Sequence, residues 1–126
     1  MEIAIAGSLE SPVITFSKHG GDRPERVCLG RLYVYESDAP APRSPVWEIG
    51  DLETECAKVT SVTYGRAPGG IPTSAGPVPL KANTEYEFSG TGWTGRLPNV
   101  PWYGEGPGAR VIFANGGWRR AQLTAR

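Results

Sequence analysis

The chain carries 17 glycines and 12 prolines among its 126 residues, and their even spread limits the length of every regular element it can form. Proline fixes φ and has no N–H to donate, so neither a long helix nor an unbroken central strand survives where breakers cluster. Between them lie short runs rich in β-branched and aromatic residues. These are Glu2 to Ala6, Pro12 to Ser17, Arg26 to Glu36, Pro45 to Ile49, Lys58 to Tyr64, Glu85 to Gly90, Arg110 to Ala114 and Gly117 to Leu123. Short strands with frequent turn signals are the pattern of an all-β sandwich or barrel. No stretch has a convincing 3.6-residue apolar period, and Gly50 to Ala57 has room for a turn or two of helix at most. Nothing recurs at a fixed spacing, which argues against a solenoid or propeller. The expectation is an all-β chain. It is read as a single antiparallel β-sandwich over residues 1–126, with roughly seven to nine short strands and long Gly/Pro-rich loops.

Local patterns sharpen this expectation. Glu85, Tyr86, Glu87 and Phe88 alternate carboxylates with aromatics, as a strand with one buried face does. In the longest run Val27 and Leu29 share one parity, and Leu32 and Val34 share the other. Gly30, between them, is expected to be a β-bulge that resets which face is buried. Ala39 to Pro42 reads as a stiff connector, and Arg66 to Asn83 as a second Gly/Pro-rich link. Asn115, Gly116 and Gly117 read as a tight hairpin turn. Trp47, inside an apolar run, is expected in the core. Trp118 is expected to pack near the last strand, with Arg119 or Arg120 stacked on an aromatic.

Thirteen basic residues balance 13 acidic ones. Nucleic-acid binders draw affinity from a net basic footprint, so this balance argues against nucleic acid as a partner. The charges are unevenly placed, with Glu48, Asp51, Glu53 and Glu55 close together and Arg110, Arg119, Arg120 and Arg126 at the other end. They form either complementary solvated faces or an electrostatic docking surface for a polar partner. No run approaches the ~18 apolar residues of a membrane span. The start lacks the basic region and apolar length of a signal peptide, so the chain as written is expected to be cytoplasmic. It would be periplasmic or secreted if Met1 replaces a removed leader. Cys28 and Cys56 are the only cysteines. They either clip strands together in an oxidising compartment or stay reduced as small buried groups, and spacing alone decides neither.

Catalysis finds little support. His19, the only histidine, sits in a turn-like segment, and no Gly-x-Ser-x-Gly elbow accompanies it. Asp51, Glu53 and Glu55 would share one side of a strand, where mutual repulsion on a solvated edge explains them without a ligand. Gly65 to Gly70 lacks the Lys-Ser/Thr ending of a phosphate loop. No zinc or calcium pattern occurs. The chain is therefore expected to be no enzyme, with no cofactor and no metal.

Gly92 to Gly108 holds five glycines, three prolines, two tryptophans and a tyrosine in 17 residues. Such a density of breakers predicts a long loop, and its aromatic content sets it apart from disordered segments. Trp93, Arg96, Trp102, Tyr103, Glu105 and the adjoining Arg110 are the candidate binding residues. Their types include those that dominate protein interface hot spots. If the tryptophans face inward they plug one end of the sandwich instead.

Leu80, Thr84 and Tyr86, in the stretch from Leu80 to Tyr86, resemble the tyrosine corner of immunoglobulin and fibronectin type III sandwiches. The resemblance implies that the Tyr86 hydroxyl bonds to upstream backbone, and that Trp47 is similar to the buried tryptophan of an earlier strand. It also implies that Gly92 to Gly108 joins the strands called F and G, the position of the third hypervariable loop. Val62 to Gly69, followed by Pro79, Leu80 and Tyr86, resembles a stretch of small proteobacterial lipoproteins of sandwich type, and Pro45 to Trp47 with Thr63 to Gly65 fit their pattern. The lipobox cysteine of such proteins is absent near this N-terminus, so membrane anchoring does not carry over. The expected function is a non-catalytic protein-binding module, for instance an immunity or inhibitor protein. The alternatives are a carbohydrate-binding module that uses Trp93, Trp102 and Tyr103 as stacking platforms, and a structural subunit of a surface or phage assembly.

Overall fold

The computed structural model describes residues 2–17, 26–50, 57–93, 101–102 and 108–121, with the backbone alone at 2, 92–93 and 101–102. The described residues form eleven strands and no helix. In chain order these are β1 (Glu2–Ala6), β2 (Val13–Ser17), β3 (Val27–Glu36), β4 (Trp47–Ile49), β5 (Ala57–Val59) and β6 (Ser61–Thr63). The rest are β7 (Thr73–Ala75), β8 (Glu85–Trp93), β9 (Pro101–Trp102), β10 (Gly108–Ala114) and β11 (Gly117–Arg120). The chain is all-β with two antiparallel sheets, as expected, and the strand count exceeds expectation. Two of the extra strands, β7 and β9, lie inside segments that proline and glycine had marked as connectors.

The smaller sheet has the order β1-β2-β6. The larger runs β11-β10-β8-β3-β4-β7, with β5 also on β3 and β9 also on β8. Each of the two longest strands is therefore shared along one edge by two short ones. On β3, β4 covers Leu32 to Val34 and β5 covers Val27 to Leu29. On β8, β10 covers Glu85 to Ser89 and β9 covers Gly92 and Trp93.

One apolar cluster joins the two sheets in a sandwich-like arrangement. Ile3, Ile14, Phe16 and Val62 come from the smaller sheet, and Val27, Leu29, Leu32, Val34, Trp47, Ile49, Phe88 and Val111 from the larger. Each fully buried Ile, Leu, Val or Phe among them contributes roughly 1.5–3 kcal/mol. The run from Lys58 to Tyr64, continuous in sequence, serves both layers. Ala57–Val59 pairs with β3 in the larger sheet, whereas Ser61–Thr63 pairs with β2 in the smaller. The chain crosses between layers at Thr60, whose carbonyl accepts the Phe16 N–H at 3.0 Å.

The expected bulge lies at Gly30. Leu29 faces Gly92 and Arg31 faces Thr91, so Gly30 is the extra residue on β3. Val27 and Leu29 before it and Leu32 and Val34 after it are all buried, although their parities differ. Gly50 seats against the bulge with φ of 84°, and a Cβ there would come within 2.0 Å of the Gly30 carbonyl oxygen. No other residue type fits both the left-handed backbone and that approach. Asn115 and Gly116, at φ 54° and 80°, make the two-residue turn between β10 and β11, as the sequence predicts.

Two buried tyrosines tie loops to this core. The Lys81 N–H donates to the Tyr86 hydroxyl at 2.8 Å, the bond expected of a tyrosine corner. The Tyr64 hydroxyl donates to the Val78 carbonyl at 2.5 Å, and its ring lies 5.0 Å from that of Trp47. Trp47 is fully buried, as anticipated. Trp118 is half-buried edge-on to Phe113 and donates through Nε1 to the Ser8 carbonyl. No ring among the described residues stacks on Arg120; its guanidinium donates to the Ile3 carbonyl. Cys28 is disulfide-bonded, and Cys56, the chain's other cysteine, lies outside the described residues.

Candidate functional site

Alternation along β3 and β8 gives the larger sheet an outer face as distinctive as its inner one. Leu32 and Val34 point into the core, so Arg31, Tyr33 and Tyr35 point away from it. On the neighbouring strand Tyr86 and Phe88 are inward and Glu85, Glu87 and Ser89 outward. The register sets Tyr35 opposite Glu87 and Tyr33 opposite both Ser89 and Glu48.

These side chains form one connected row. The Arg31 guanidinium lies 5.2 Å from the Tyr33 ring centroid and pairs with Glu48 at 2.5 Å. The Tyr33 and Tyr35 rings are 6.1 Å apart, tilted by 53°. Arg43, from the connector between β3 and β4, sits 5.0 Å over the Tyr35 ring and forms an ion pair with Glu87. Arg110, across the strand pair from Glu87, reaches the same carboxylate at 3.0 Å. Burial of Glu87 raises its carboxyl pKa. Hydrogen bonds and charge from Arg43, then Arg110, outweigh that and hold it below its ordinary value.

Such contacts add little stability. Exposed ion pairs are worth about 0.2–1 kcal/mol and exposed cation–π pairs about 0.5–1 kcal/mol. Their effect is to hold two tyrosines and three arginines in one geometry before any partner arrives. The hydroxyls of Tyr33 and Tyr35 have no hydrogen-bond partner among the described residues. The face therefore presents fixed aromatic and guanidinium groups whose outer donors are free for contact.

Of the six residues the sequence pointed to, Arg110 joins this row. The backbones of Trp93 and Trp102 lie elsewhere in the same sheet, where Gly92 pairs with Trp102 and Trp93 with Pro101. The Gly92 to Gly108 segment is thus not wholly loop, since both its ends and its middle lend residues to β8, β9 and β10. Breakers failed to prevent this because β9 is only two residues long and lies beside β8 alone, where a missing proline N–H costs little. Arg96, Tyr103 and Glu105 lie outside the described residues, as do His19, Asp51, Glu53 and Glu55. Sequence reasoning missed Arg31, Tyr33, Tyr35, Arg43 and Glu87, and named Glu48 only within an acidic run. The period-two pattern Arg31, Tyr33, Tyr35 was the signal that would have found three of them.

Among the described residues no group of His, Cys, Asp and Glu is placed to hold a metal ion. Nor is any helix among them long and apolar enough to cross a membrane. Fold and site together define an all-β protein of two antiparallel sheets, sandwich-like, with an Arg/Tyr-rich outer face on its larger sheet. No protein-family model matches the chain, and no curated protein or solved structure matches it either.

Proposed function

We propose that the chain is a non-catalytic protein-binding module of immunoglobulin/fibronectin type III-like build. Strand order supports the build: β10-β8-β3-β4 reads as the G-F-C-C′ sheet, and β1-β2-β6 as A-B-E. The corner bond from Lys81 to Tyr86, at the start of the strand read as F, supports it further. The observation that carries the binding role is the row Arg31, Tyr33, Tyr35, Arg43 on the outer face. Tyrosine and arginine dominate interface hot spots, and side chains fixed beforehand lose less entropy when a partner docks. Arg110 extends the row, and the segment carrying Trp93 and Trp102 adjoins the same sheet.

A stacked sugar is less well served. The 53° tilt keeps Tyr33 and Tyr35 from forming one plane, and a guanidinium lies over each ring. The test is affinity capture from the source lysate beside a glycan array, with wild type, Tyr35→Ala and Trp102→Ala. A stoichiometric protein held by wild type and lost with Tyr35→Ala, at unchanged melting temperature, supports the module. A glycan hit with no captured protein overturns it in favour of carbohydrate binding.

A further inference from the structure

Among the described residues the outer face of the larger sheet carries more basic than acidic side chains. Lys58 pairs with Cys28 and Arg119 with Ile112, so both share the outward side with Arg31, Arg43 and Arg110. Glu48, Glu85 and Glu87 are the acids that oppose them on the described strands. Among the described residues the face holds five basic side chains against three acidic ones, on a chain whose formal net charge is zero. Internal pairing leaves its donors largely available. Arg43 bonds Glu87 through Nη1 alone, and Arg110 bonds it through Nε and Nη2. Lys58 and Arg119 have no ion-pair partner among the described residues.

A guanidinium with spare donors takes a carboxylate in a two-point fork, which fixes orientation as well as charge. From β5 to β11 the face spans five strands, on the order of 20 Å at the spacing of paired strands. Between its basic margins stand Tyr33 and Tyr35, whose rings lie under Arg31 and Arg43 and whose hydroxyls have no partner among the described residues. Basic margins and an aromatic centre bordered by guanidinium groups match an extended acidic segment better than an apolar one.

We infer that the partner of this face is an acidic protein segment in extended conformation, its carboxylates on Arg43, Arg110 and Arg119 and its polar groups within reach of the Tyr33 and Tyr35 hydroxyls. The inference rests on the protein-binding reading above.

The test uses the whole chain, isotope-labelled, with a blocked oligo-glutamate of about ten residues, which reaches on the order of 30 Å when extended. An oligo-lysine of equal length, heparin and a DNA duplex are run beside it. Amide shifts at Tyr33, Tyr35, Glu87 and Arg110 with oligo-glutamate are expected. They should fade as ionic strength rises from about 0.01 M to about 1 M, where the Debye length falls from roughly 30 Å to 3 Å. The double variant Arg110→Gln/Arg119→Gln, which removes charge without setting a carboxylate opposite Glu87, should nearly keep its melting temperature and lose affinity on the order of tenfold or more. No shift at millimolar peptide, an equal response to oligo-lysine, or tighter binding of heparin or DNA overturns the inference. So does a lysate partner that Tyr35→Ala loses but the double variant retains. That last outcome leaves the protein-binding reading standing, whereas capture indifferent to Tyr35→Ala removes both.

Discussion

Four tyrosines divide between two regions and are put to opposite uses. Tyr64 and Tyr86 are buried between the sheets, and each hydroxyl is bonded to loop backbone. Tyr33 and Tyr35 lie half-buried on the outer face, with hydroxyls unpaired among the described residues and guanidinium groups over their rings. In the first pair the ring supplies buried area and the hydroxyl satisfies a polar group that would otherwise be stranded. In the second pair the fold uses neither end of the side chain fully. Residue type does not separate structure from contact here; burial and the fate of the hydroxyl do.

The largest expected effect is at Tyr86. Tyr86→Ala should cost about 3–5 kcal/mol in denaturant unfolding, as large-to-small core changes do. Tyr86→Phe should cost about 1–2 kcal/mol, because the Lys81 N–H loses its acceptor. A neutral Tyr86→Phe would show that the corner bond contributes nothing. Next comes Tyr64, whose pKa is pushed up to about 12 by burial and then by the nearby Tyr86. Its contribution to stability is fully present below pH 10, the ordinary tyrosine value, and is lost as pH rises through about 12. Wild type should therefore lose stability between pH 10 and 12 more steeply than Tyr64→Phe, measured by melting across that window.

Glu87 shifts the other way and should matter less. Its carboxyl pKa is held below the ordinary 4.5, so its contribution is present above that value and lost as pH falls through the depressed one. Glu87→Gln should flatten the acid limb of the melting profile, and an unchanged limb would mean that Arg43 and Arg110 do not hold the carboxylate in solution. The smallest effect on stability belongs to Tyr35→Ala, within about 0.5 kcal/mol. Its effect on partner binding should be large. A collapse in melting temperature there would erase the contrast between the two pairs.

What the sequence disclosed follows the same division. The bulge at Gly30 was legible from a change of parity around one glycine, and the Lys81–Tyr86 bond was implied by the resemblance of Leu80, Thr84 and Tyr86 to a tyrosine corner. The candidate face was half legible. Putting Leu32 and Val34 in the core already sends Arg31, Tyr33 and Tyr35 outward. Arg43 meeting Glu87 was not, because that contact depends on strand order bringing together residues 44 apart in the chain. β7 escaped because Thr73, Ser74 and Ala75 carry almost no apolar signal and pair only as an edge. The change of layer at Thr60 left no mark either, since a strand that switches sheets keeps its composition while its partners change.

The bulge also decides which groups meet the solvent. Were β3 to run past Gly30 without the extra residue, keeping Val27 and Leu29 inside, then Arg31, Tyr33 and Tyr35 would point into the core. Leu32 and Val34 would face the water. One residue without a side chain offsets the second half of the strand, and Gly50 holds that offset by leaving room for the Gly30 carbonyl. The make-up of the outer face is thus governed from two positions that contribute no side chain to it. A mutational survey limited to exposed side chains would pass over both. Loss of binding in a Gly50 variant would look like ordinary destabilisation, when its root is a strand thrown out of phase.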